Sequence, residues 1–165
     1  MRIYEGTPRQ DWEEVLRVVG QFADREGLKE LLFLETDDGF VLQGLRLADG
    51  GATDSGMGSL AKRTYQLSDE RVAELMDAGH ALRGSGAQGD HREITAYNEL
   101  ALRVIGRYLD TQRPHDVFFF EQEGGFVVRL FGTSGSMAGA HSLSEFTRDE
   151  MLSMIEEARQ RLRPQ

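Results

Sequence analysis

Apolar residues recur at helical spacing near the start of the chain and again near its middle. Residues 12–23 place their apolar side chains on one face, and Thr7, Pro8 and Gln10 form a capping-box pattern ahead of them. A matching stripe spans residues 101–109. The pattern predicts two helices, the first capped by Thr7 and the second capped from residues 90–93 and ended at Pro114.

Two short apolar runs and a turn signal follow each of these helices. The runs are residues 31–35, 40–47, 117–121 and 126–131. Asp38-Gly39 separates the first two runs and Gly124-Gly125 the last two, and such dipeptides favour tight hairpin turns. The pattern therefore predicts two β-hairpins, with weaker third strands at residues 62–67 and 139–143.

A further helix is predicted after each third strand. Ser68 is the expected cap of the first of these helices, and Thr147 with Glu150 forms a capping box for the second. Their buried stripes contain small and large apolar residues at helical spacing. The stripe residues are Val72, Leu75, Met76, Gly79 and Leu82 in one helix, and Met151, Met154, Ile155, Ala158 and Leu162 in the other.

The chain resembles itself when it is shifted by 86 residues. Residues 12–45 then align with residues 98–131 without a gap, and eleven of the 34 positions are identical. We infer an α+β fold in which an α-β-β-(β)-α unit occurs twice. The units are residues 1–83 and 90–165, joined by a flexible linker at 84–89, and they form one pseudo-twofold antiparallel sheet packed with helices.

Two features of the repeated unit carry physical expectations. Gly20 and Gly106 lie in the middle of matched helices, where glycine is unfavourable, so we expect a close backbone approach there. Residues 31–34 and 117–120 are continuous apolar runs that favour cover on both faces of the sheet. Four helices could divide between the faces; if all lie on one face, a partner or second subunit must cover the other. We therefore expect a homodimer.

Charged residues of the repeat are expected on the surface. Glutamate precedes arginine by four positions in both opening helices, at Glu13 with Arg17 and at Glu99 with Arg103. That spacing is typical of a solvated helix face. Glu35 and Glu121 end strands just before a hairpin and are also expected to be exposed, with a paired binding role as the alternative.

Composition narrows the class of protein. The 165 residues carry a net charge of −9 and contain no cysteine, which excludes disulfides, thiol catalysis and cysteine-based metal sites. The acidic balance disfavours nucleic-acid binding. No apolar run is long enough to span a bilayer and the first residues do not resemble a signal peptide, so a cytoplasmic protein outside the membrane is expected.

No catalytic or metal-binding constellation is recognisable, and no cofactor is expected. The four histidines, at positions 80, 91, 115 and 141, lack metal-ligand spacing. Ser59 and Lys62 match a short S-x-x-K pattern whose companion motifs are missing. The remaining site candidates are glycine- and serine-rich loops after the second strands, which could cradle an anion. Their residues are Ser55, Gly56, Gly58, Ser59, Ser134, Gly135 and Ser136.

The order of elements in residues 98–131 and 145–163, with residues 12–47 as the opening half, resembles the class I secretion chaperones. The chain departs from that pattern through the helix expected at residues 69–83 and through its internal similarity. The resemblance implies a dimer that presents apolar grooves to an extended partner segment. We therefore expect a non-catalytic protein-interaction or chaperone-like module. The alternatives are a small-ligand-binding or sensory domain, with a site between the repeats or at the glycine-rich loops, and an enzyme whose site is assembled from distant residues.

Overall fold

The architecture is described by a computed structural model for residues 11–36, 38–47, 60–84, 97–132 and 141–162. These residues form four helices and six strands. The helices are α1 (Trp12–Arg25), α2 (Asp69–Gly84), α3 (Tyr97–Gln112) and α4 (Arg148–Leu162). The strands are β1 (Lys29–Thr36), β2 (Gly39–Leu47), β3 (Leu60–Ser68), β4 (Asp116–Gln122), β5 (Gly125–Phe131) and β6 (His141–Phe146). The predicted α+β class is confirmed.

The six strands form one antiparallel sheet in the order β3-β2-β1-β4-β5-β6. The two hairpins meet where β1 pairs with β4. The paired residues are Leu32 with Phe120, Phe33 with Phe119 and Leu34 with Phe118. A shift of 86 positions, forward for the first member of a pair and back for the second, exchanges the two outer pairs and returns the central pair, Phe33 with Phe119, to itself. Two duplicated units related by a twofold axis would have this register, and the duplication itself stays a prediction.

One face of the sheet carries the core and the described helices. The rings of Phe33 and Phe119 stack at the centre with their centroids 4.6 Å apart, and Trp12 of α1 packs edge-on against Phe33 at 6.3 Å. Helices α2 and α4 flank α1 and α3, and they add Val72 and Met151 to the same buried cluster. All four helices therefore lie on the same side of the sheet.

Helices α1 and α3 touch at two glycines. A Cβ on Gly20 would lie 2.5 Å from the carbonyl oxygen of Asn98, and one on Gly106 would lie 2.4 Å from the carbonyl oxygen of Trp12. Both obstacles are backbone atoms, which cannot rotate away as the end of a side chain can. The close approach predicted at both glycines is therefore confirmed, and it explains why each helix tolerates a residue that weakens it.

The N-termini of α1 and α3 are capped by carboxylates from distant parts of the chain. Asp110 accepts hydrogen bonds of 2.8 and 3.0 Å from the first two N–H groups of α1. Asp24 accepts bonds of 3.2 and 2.9 Å from the N–H groups of Asn98 and Glu99 in α3. Each carboxylate satisfies two donors that have no partner inside their own helix.

These distant caps correct one prediction. Helix α1 begins at Trp12, and its N-cap residue is Asp11 rather than Thr7. The side chain of Asp11 makes no capping hydrogen bond, because Asp110 already occupies the first N–H groups. Thr7 and the expected cap of the second helix at residues 90–93 lie outside the described residues.

The local caps of α2 and α4 are confirmed. The hydroxyl of Ser68 accepts a 3.1 Å bond from the N–H of Arg71. At α4 the capping box is reciprocal: the N–H of Glu150 donates to the Thr147 hydroxyl at 3.3 Å, and the Thr147 N–H donates to the Glu150 carboxylate at 2.7 Å. These helices therefore begin where their own sequence directs.

Both hairpins are present, and their second strands begin one residue earlier than predicted. Gly39 and Gly125 are already the first residues of β2 and β5, and the second loop consists of residues 123–124. In the second loop Glu123 and Gly124 have φ values of 50° and 81°. Two successive positive φ values are characteristic of a type I′ turn, which matches the twist of the strands.

The outer strands differ from their predicted limits. Strand β3 contains the predicted residues 62–67 and extends beyond both ends. Strand β6 overlaps the predicted residues 139–143 only from His141 and continues to Phe146. An edge strand packs against fewer neighbours than a central one, so its sequence alternation is weaker and its limits are harder to predict.

The prediction that Glu13 with Arg17 and Glu99 with Arg103 form solvated pairs within α1 and α3 is wrong. The Glu13 carboxylate accepts bonds of 3.0 Å from both Arg103 and Arg107 across the helix interface. Arg17 is only 6% exposed and its guanidinium lies 3.9 Å from the Glu99 carboxylate. These charges bridge the two helices because the close glycine contact brings both charged faces together.

Candidate interaction surface

The sheet face opposite the helices, called the open face below, has an apolar centre. Alternation along each strand points Leu31 and Phe33 into the core and the next residues to the other side. The apolar centre consists of Leu32, Leu34, Val41, Phe118, Phe120 and Val127, which the strand register places side by side. Within the described residues no helix packs on this face.

The apolar centre remains in contact with solvent. Leu34 is 41% exposed, and Phe118 and Phe120 are half-buried by their neighbours within the sheet. The two phenylalanine rings lie 5.8 Å apart between centroids. Large contiguous apolar patches are rare on the surfaces of monomeric proteins and mark sites of interaction.

A hollow of about 370 Å³ opens in this face beside the apolar centre. It forms because the pairing of β1 with β4 ends at Leu34 and Phe118 although both strands continue beyond these residues. Leu34, Phe118 and Phe131 provide apolar lining, with Asp116 and Arg129 also at the hollow. Its size and lining suit one large apolar side chain from another molecule.

Polar and charged residues surround the apolar centre. Lys62 and Arg129 carry positive charge, and Asp116 and Glu145 carry negative charge, at strand positions in register with the apolar residues. The described part of the open face is therefore close to neutral, on a chain whose net charge is −9.

A second concavity lies between the two halves, at the ends of α1 and α3. This cleft of about 470 Å³ is lined by both halves, with Leu28 on one side and Tyr97, Asn98 and Glu121 on the other. The Asn98 amide donates a 2.9 Å bond to the Leu28 carbonyl, and the Tyr97 hydroxyl donates a 2.9 Å bond to the carbonyl of Gly124. The bond from Asn98 joins the two halves, whereas the bond from Tyr97 lies within the second half.

The glutamates next to the last residues of β1 and β4 are less exposed than predicted. Glu35 is only 6% exposed, and Glu121 is half-buried and accepts a 3.3 Å bond from the N–H of Leu31. Burial raises the pKa of Glu121 and the charge of Glu30 adds to the rise, although the Leu31 N–H opposes it. Both side chains turn inward because their alternation places them on the helix-covered face.

The glycine- and serine-rich loops proposed as a ligand site lie outside the described residues. This holds for every candidate on them, namely Ser55, Gly56, Gly58, Ser59, Ser134, Gly135 and Ser136. Ser59 of the S-x-x-K pattern is among them, whereas Lys62 is exposed on β3. The anion-cradle hypothesis therefore stays a prediction.

The described residues contain no cluster of three or more histidine, aspartate or glutamate side chains that could hold a metal ion. Likewise, none of the helices in this part of the chain is both long and apolar enough to cross a membrane. Comparison with protein families, with curated proteins and with solved structures finds no match to this chain. The geometry of the open face is therefore the main basis for a functional proposal.

Proposed function

We propose that the chain is a non-catalytic protein-interaction module whose binding surface is the open face of its sheet. The observation that carries the proposal is the uncovered apolar centre around Leu34 and Phe118, left free because all four helices pack on the opposite side. Burying apolar area is the main driving force of protein association. The resemblance to class I secretion chaperones also implies partner binding.

Carbene footprinting of the protein in extract of its own host tests this function. Leu34 on the open face is 41% exposed, and Leu152 on the surface of α4 is 45% exposed, so the two leucines form a matched pair. We expect Leu34 to be protected from labelling relative to Leu152, because a protein surface covers it. Equal labelling of both leucines at every protein concentration would contradict the function.

A second candidate function is small-ligand binding at the cleft between the halves. Its volume of about 470 Å³ and the half-buried Glu121 carboxylate favour a small cationic ligand. A thermal-shift screen with small amines tests this alternative. A stabilising amine whose effect disappears in the Glu121→Gln variant would support it, and a screen without such an amine would count against it.

A further inference from the structure

We infer that the open face is occupied by a second copy of this chain, so that two sheets stack face to face in a homodimer. This inference rests on the proposed function and names the partner. Aligned sheets pack about 10 Å apart with interdigitated side chains, as in a β-sandwich. Leu34 and Phe118 would then lie within a second apolar core formed between the two molecules.

The size of the open face meets the requirement for a dimer. Six strands spaced about 4.8 Å apart, each contributing about six residues of about 3.3 Å, give a face of roughly 600 Å². Two such faces would bury roughly 1,200 Å² together, which is the lower limit of the usual range for stable, specific interfaces. The whole face, rather than one corner of it, must therefore take part.

The charge of the face also favours another copy. Two chains of net charge −9 repel each other, and the repulsion is smallest where they meet at a surface with little net charge. The open face offers such a surface, because Lys62 and Arg129 balance Asp116 and Glu145. A strongly basic partner would instead be expected to bind the acidic surface elsewhere on the chain.

The pattern of the face is compatible with the symmetry of a dimer. In a twofold interface the same patch is used on both molecules, so it must match itself. Residues related by the 86-residue shift are both apolar in the centre: Leu32 with Phe118, Leu34 with Phe120 and Val41 with Val127. The centre therefore presents apolar side chains to an equivalent centre when one copy is turned over onto another.

The mass of the full-length chain in solution, measured by light scattering, tests this inference. We expect twice the 18.5 kDa of one chain. Leu34→Glu and Leu34→Lys should both give monomers, since each places a charge in the buried apolar centre. The two variants change the net charge in opposite directions, so a monomer in both cases shows that burial of the charge, rather than the net charge of the chain, is responsible. The matched control Leu152→Glu should remain a dimer. A monomeric parent protein, a dimeric Leu34→Glu variant or a monomeric control would each overturn the inference.

A thiol-labelling experiment covers the case in which the charged variants do not fold. The chain has no cysteine, so Leu34→Cys and Leu152→Cys each introduce a single thiol. In the purified protein a maleimide should label the Leu34→Cys thiol more slowly than the Leu152→Cys thiol, and dilution should remove this difference; equal labelling rates at every protein concentration would refute the dimer. If Leu34 is protected in host extract while the purified chain is monomeric, the proposed function stands and this inference fails. If Leu34 is unprotected both in host extract and in the purified protein, the proposed function and this inference fail together.

Discussion

Gly20→Ala tests the contact between α1 and α3 with a single methyl group. That carbon would lie 2.5 Å from the Asn98 carbonyl oxygen, about 0.9 Å inside ordinary contact, and 2.6 Å from the Cα of Glu99. The obstacles are backbone, so the helices must separate. Overpacking of this kind costs about 3 kcal/mol at the upper end of its usual range, and the better helix propensity of alanine returns about 1 kcal/mol. We therefore expect a net loss of about 2 kcal/mol.

Thermal unfolding followed by circular dichroism measures this loss. For a chain of this size, about 2 kcal/mol corresponds to a decrease in Tm of roughly 4–8 °C. Ala73→Gly, at an exposed position of α2, is the control for helix propensity alone and should lower Tm although it removes a methyl group. A Tm of Gly20→Ala equal to or above that of the parent protein would refute the close contact. Gly106→Ala should lower Tm by a similar amount. The variant with both substitutions should lose less stability than the sum of the two single losses, because both substitutions separate the same pair of helices.

Two further predictions concern pH and a turn. Burial raises the pKa of Asp24, Glu99, Asp110 and Glu121, although hydrogen bonds oppose the rise at each. The folded state therefore binds their protons more tightly than the unfolded state, so Tm should increase as pH falls from about 7 to about 5; a steady decrease would contradict this. Glu123→Gly should raise Tm by a few degrees, since it relieves a φ of 50° that costs a non-glycine residue about 1 kcal/mol; an unchanged or lower Tm would show that this turn is not strained.

The elements that follow from local chemistry could be predicted from sequence. The hydroxyls of Ser68 and Thr147 cap the helices that they precede, and the glycine-containing turns join strands that are neighbours in the sequence. In each case the interacting groups lie within a few residues, so a short window of sequence contains both partners. The glycine contact was also predictable, because an unfavourable residue in mid-helix requires a compensating gain.

The sequence does not predict which face of the sheet the helices cover, although this choice defines the candidate site. In β1 the core residue Phe33 and the open-face residues Leu32 and Leu34 are all apolar, so alternation does not distinguish the two faces. Which face receives the helices is decided by their packing with one another. The caps at Asp24 and Asp110 escaped prediction for a similar reason, since the groups they bind are far away in the sequence.

The exchange of helix caps between the halves constrains the order in which the chain can fold. Asp24 and Asp110 lie 74 to 98 positions from the N–H groups that they cap. The two hairpins form from neighbouring residues, whereas α1 and α3 acquire their capped N-termini only after this long loop has closed. Contacts between distant residues slow folding because loop closure costs entropy before any contact compensates for it. Joining of the two halves is therefore the step that commits the chain to its native state. Each half depends on the other for the residue that caps its first helix.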